Sequence, residues 1–196
     1  MTIPDEKKVA LAAKFGLIPP APVKEAASMV EYDTREERVE PKEIWKILPG
    51  VAVGPLRLGM TSEQLKAALH QVRETWGVAS PLEEQTDMAL PGTKGVIVRY
   101  MDDVLFVLAR YVENRAQELT VDRMTADRVQ LMLEATPVFR GDAGELAQRL
   151  DLTKGKLGYE RPGLLLWQEG FREDEPFDFA TVRRCPEKGE SSCKTF

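Results

Sequence analysis

The chain has 196 residues, 43% hydrophobic and 30% charged, a balance suited to one well-filled domain with additional segments. Its net charge of −5 opposes non-specific binding to nucleic acid or to anionic membranes, both of which attract basic surfaces. Two cysteines, Cys185 and Cys193, and the single histidine His70 exclude a disulfide framework and a four-ligand zinc site.

The N-terminus, M-T-I-P-D-E-K-K, places acids and lysines where a signal peptide carries basic residues and then an apolar run. The longest uninterrupted apolar run, Val104 to Ala109, is too short to span a bilayer. A cytoplasmic protein is therefore expected. Residues 1–43 read as an N-terminal arm. A short helical pattern over Glu6 to Phe15 stops at Gly16, L-I-P-P-A-P forms an extended spacer, and Glu31 to Lys42 is a charge-dense linker. Residues 44–185 form the expected single domain, and 186–196 a polar tail.

Within the domain, Glu43 to Leu48 is a lead-in ended by Pro49-Gly50, and Val51 to Val53 begins a strand. Thr61 is suited to cap a helix, with Gln64 as its capping-box partner and Met60 and Leu65 at the staple positions. Leu65, Ala68, Leu69, Val72 and Trp76 share one face of that helix, and Gly77 stops it. Pro81 to Thr93, acidic and broken by two prolines, reads as a loop. Gly95 to Met101 and Val104 to Tyr111 read as a hairpin turning at Asp102-Asp103. Glu118 to Val121 is a short strand, and Ala126 to Ala135 and Ala143 to Leu150 have helical spacing around a strand-like Pro137 to Phe139. Gly163 to Gln168 and Phe177 to Arg183 close the pattern as strands. The expected fold is α+β: a small, mainly antiparallel sheet with helices packed on one face.

Three features suggest chemistry. Gly54, four residues, Gly59, Met60 and Thr61 approximate a phosphate-binding loop, but methionine stands where the lysine meets the phosphates, and Pro55 removes a backbone N–H. The hairpin segment Tyr100-Met101-Asp102-Asp103 resembles the metal-binding hairpin of reverse transcriptases, without their upstream metal-binding strand or basic template channel. An acidic turn between two apolar strands, a common use of aspartate, is the preferred reading. His70 falls on the helix face of Lys66 and Glu74, away from the apolar stripe, which is a solvated position. No residue is assigned a catalytic, cofactor-binding or metal-ligating role, and no cofactor is expected.

The segment V-G-P-L-R-L-G-M-T-S-E-Q-L, Val53 to Leu65, resembles the opening of small bacterial α+β domains that begin G-P-L-R-(F/L)-G-M-T, some of them immunity-type. Its G-M-T-x-x-Q-L portion is also similar to the BamE/SmpA outer-membrane assembly lipoproteins and to β-lactamase-inhibitor-protein domains. The lipobox cysteine of the former and the disulfides of the latter are missing from this sequence. The resemblance implies helices on a small antiparallel sheet and a non-catalytic role in binding another protein. It transfers no interface residue, because the shared motif is a turn and a helix cap. On that basis the expected function is an immunity- or antitoxin-type inhibitor whose acidic surface meets a basic toxin domain. Glu83, Glu84, Asp87, Asp102, Asp103 and Glu113 are the candidate partner-binding residues. The alternative is a structural or assembly component, of a secretion or phage-like particle, docking through residues 1–43.

Overall fold

A computed structural model describes residues 43–87, 94–170 and 172–185, all within one compact unit. The expectations for the N-terminal arm, for 88–93 and for the polar tail with Cys193 lie outside these residues. Cys185 is exposed.

Two sheets, not one, build the domain. The smaller has the order β3-β2-β1-β8-β9, from β1 (Glu43–Leu48), β2 (Ala52–Val53), β3 (Leu56–Arg57), β8 (Val129–Leu133) and β9 (Thr136–Pro137). Its central pair, β1 with β8, is parallel, and the other pairs are antiparallel. The larger sheet is antiparallel throughout, in the order β10-β11-β12-β13-β7-β6-β5-β4. Its strands are β4 (Glu83–Asp87), β5 (Val96–Met101), β6 (Phe106–Val112), β7 (Arg115–Asp122), β10 (Thr153–Lys154), β11 (Tyr159–Arg161), β12 (Leu164–Trp167) and β13 (Phe179–Arg183). Among the described residues two helices, α1 (Ser62–Trp76) and α2 (Ala143–Arg149), complete the α+β architecture with a 3-10 turn at Arg123–Asp127. Among the described residues no helix is long and apolar enough to cross a membrane.

Alternation along the large sheet defines its buried face. The cross-strand rows Tyr100–Val107–Val121–Ala180–Leu166 and Val98–Ala109–Leu119–Val182–Leu164 lie side by side. All ten residues belong to one apolar cluster with Leu65, Leu69, Val72 and Trp76 of α1 and Trp45 and Ile47 of β1. Each large aliphatic side chain so buried contributes about 1.5–3 kcal/mol. Trp45 and Trp76 stack with ring centroids 5.9 Å apart, joining the small sheet to the helix.

Helix α1 begins and ends as its residues dictate. The Gln64 amide donates to Thr61 Oγ1 at 3.2 Å, and the Thr61 amide donates to Gln64 Oε1 at 3.0 Å. Gly77 takes a left-handed φ of 68° and donates to the Glu74 carbonyl, the C-terminal stop that glycine makes without steric cost. The stretch between Gly54 and Gly59 is no phosphate cradle. It holds β3, and Leu56 is fully buried. Gly54 itself, at φ 55°, lies so close against Trp45 that a Cβ would enter the indole ring. The same stretch docks on β7: Gly59 N–H donates to the Ala116 carbonyl at 2.7 Å, and Ala116 N–H to the Met60 carbonyl at 2.9 Å.

Two expectations are corrected. Val129 to Leu133 is a strand, not part of a helix: Val129, Leu131 and Leu133 are buried and alternate with half-buried Gln130 and Met132, a period of two. Within the expected acidic loop, Glu83–Asp87 is a strand paired in continuous register with β5, Glu83 to Met101 through Asp87 to Ile97. It contains no apolar residue, so backbone pairing rather than side-chain burial holds it in place.

Candidate functional site

The six acids singled out from the sequence separate into three settings. Asp102 is spent inside the protein, and its assignment to a partner surface is corrected. Its side chain is fully buried, one carboxylate oxygen facing the Arg73 guanidinium and the other accepting from the amides of Val104 at 2.8 Å and Leu105 at 2.9 Å. Arg73 is 4% exposed and also donates to the Ser80 carbonyl. The pair thus ties the last turn of α1 to the β5–β6 turn. With both oxygens engaged, Asp102 cannot join Asp103 in the metal-holding arrangement that Tyr100-Met101-Asp102-Asp103 suggests.

Glu83, Glu84 and Asp87 fall together on β4, and Asp103, exposed in the β5–β6 turn, lies just beyond the Glu83 end because Glu83 pairs with Met101. Glu113 lies apart. It occupies the two-residue turn between β6 and β7, where Glu113 and Asn114 both take positive φ (50° and 57°), as a tight hairpin turn of this twist requires. Since Tyr111 pairs with Val96, this turn is at the opposite end of β5 from Asp103. Four acids therefore form one strip, and the fifth exposed acid is separate.

Along the strip, β4 sends alternate side chains to opposite faces. Glu84 and Thr86 pair with Tyr100 and Val98 and so share the face on which α1 packs, where Lys66 Nζ meets Glu84 Oε2 at 2.7 Å. That contact raises the Lys66 ammonium pKa above its ordinary value. Glu83, Gln85 and Asp87 share the other face, and Arg99 Nη2 meets Asp87 Oδ2 at 2.9 Å. The same Arg99 lies over the Phe106 ring, 5.8 Å from its centroid. Both ion pairs are solvent-accessible, with side chains 31–45% exposed, so they screen the strip more than they stabilise the fold.

Behind the strip runs a chain of hydroxyls. Ser62 Oγ, in the first turn of α1, lies 3.0 Å from Tyr100 Oη, which lies 3.1 Å from Tyr111 Oη. Burial, and then the hydrogen bond with Tyr100, raise the Tyr111 phenol pKa above its ordinary value. The Tyr111 hydroxyl therefore keeps its proton, and the three hydroxyls link helix and sheet as hydrogen-bond donors and acceptors. His70 is exposed on α1, as its helical position implies.

Sequence reasoning missed Arg73, because a basic residue in the last turn of a helix reads as a surface partner of the helix dipole. It also missed that Glu83, Glu84 and Asp87 share a strand. Comparison of the chain with protein-family models, curated proteins and solved structures gives no match in any of the three.

Proposed function

We propose that the chain is a non-catalytic protein-binding module, acting as an immunity- or antitoxin-type inhibitor of a basic toxin domain. The observation that supports this is the strip of Glu83, Glu84 and Asp87 along β4, continued by Asp103, on an exposed rim of the large sheet. Exposed carboxylates so grouped accelerate and orient the encounter with a basic surface, and their contribution falls as salt rises.

The test is affinity capture by the full chain from its native cell, with the partner identified and its affinity measured against ionic strength. The expected partner carries a basic face, binds more weakly as salt increases, and binds the Glu83→Lys/Asp103→Lys chain at least about tenfold more weakly. Recovery of no partner, or of one indifferent to both salt and charge reversal, overturns the proposal.

A further inference from the structure

Resting on the protein-binding reading, we infer that the partner enters as an added strand: a basic, extended segment pairs with β4 and lengthens the eight-stranded sheet. The backbone carries this argument. β4 ends the sheet, and among the described residues its one strand neighbour is β5. Four of its five residues are exposed and Asp87 is half-buried. A strand paired on one side only presents its remaining N–H and C=O groups outward, which is a template for another extended chain.

Two of the devices that blunt such an edge, proline and a β-bulge, are missing from β4. It contains no proline, and its register with β5 runs unbroken over all five residues. The opposite edge of the sheet, β10, is only two residues long. What β4 does carry is negative charge, and this selects the occupant. A second copy pairing antiparallel about Gln85 would set Glu83 against Asp87 at both ends, an arrangement that like charges oppose. A basic segment meets no such cost.

The two faces of β4 set a pattern for that segment. On the outward face it passes Glu83, Gln85 and Asp87; Arg99 already meets Asp87, so lysine or arginine is favoured at the position opposite Glu83. On the α1 face it passes Thr86 and Glu84, and Lys66 already compensates Glu84, so the intervening positions favour uncharged β-branched residues.

The probe is a short synthetic peptide with lysine at the position that meets Glu83 and threonine or valine at the other positions, titrated into the full chain by fluorescence anisotropy. Two further versions carry N-methyl groups on alternate residues, one on the odd and one on the even set. Each keeps every charge and side chain but removes the donors along one edge. The expected result is binding of the unmodified peptide, a loss of about tenfold or more for one N-methylated version, and near-retention for the other. Equal binding of all three, equal loss by both N-methylated versions, or no binding of the unmodified peptide at millimolar concentration overturns strand addition. Capture of the native partner is measured separately, so the inference can fail while the protein-binding reading stands. That reading fails only if capture recovers no partner, or one indifferent to both salt and charge reversal.

Discussion

The β5–β6 turn and the β4 edge are neighbours built from the same residue type, and they use it in opposite ways. Met101 pairs with Glu83, so Asp102, the residue after β5, lies next to the Glu83 end of β4. Yet Asp102 is wholly buried with both oxygens engaged, whereas Glu83 faces solvent. The difference lies in what the fold brings to each. Arg73 comes down from α1 onto the turn, while among the described residues β4 meets the solvent-accessible cations Lys66 and Arg99. A carboxylate held by a buried cation supports the fold. One left on a rim is available to another molecule.

The sharpest break of this contrast is Asp102→Ala. It leaves the buried Arg73 guanidinium without its counter-ion and is expected to cost about 3–5 kcal/mol in urea unfolding, whereas Glu83→Ala stays within about 0.5 kcal/mol of the parent. Next, Arg73→Met combined with Asp102→Leu removes both charges. This double variant is expected to be more stable than Asp102→Ala, and far more stable than the sum of the two single losses. Asp102→Ala matching Glu83→Ala in effect would dissolve the distinction.

At the other end of α1, Thr61→Ala removes the side chain that accepts from the Gln64 amide and is expected to cost about 1 kcal/mol, read from the denaturation midpoint. Base probes the sheet behind the strip. The folded Tyr111 phenol holds its proton beyond the point at which an unfolded tyrosine titrates, near pH 10. Its stabilising contribution is therefore complete below about pH 10 and declines as pH rises above that value. Tyr111→Phe is expected to flatten that decline when stability is followed from about pH 8 to about pH 11. The smallest effect belongs to the strip. Glu84→Gln breaks the exposed contact with Lys66, and no resolvable change in the unfolding midpoint is expected.

What the sequence disclosed about this molecule is what local chemistry decides. Thr61, Gln64 and Gly77 announce helix α1 because each acts on backbone atoms within four residues of itself. The β5–β6 hairpin is legible for the same reason, its alternation and its acidic turn lying next to one another. Val129 to Leu133 is different. Val129, Met132 and Leu133 fit a helical period as well as a strand, and the parallel neighbour that decides the matter, β1, is far away in the chain. β4 offers no hydrophobic pattern at all, so only its pairing with β5 makes it a strand. The candidate site was half visible for this reason: its acids could be named, but their alignment along one edge could not. Asp102 could not be told from Asp103 without knowing where Arg73 comes to lie.

The parallel pairing of β1 with β8 also sets the order of events in assembly. Everything from β2 through the 3-10 turn lies between the two strands, including the whole β5–β6–β7 meander. Those hairpins close over short loops, whereas β1 must wait for a distant segment before its central pairing forms. Until then Trp45 and Ile47, both buried in the finished protein, lack their β8 partners Leu131 and Leu133. The closing of the small sheet is the most non-local strand pairing among the described residues and is expected to be a slow step of folding. Changes in β8 should reach refolding rates through the timing of that closure, even where they leave the large sheet untouched.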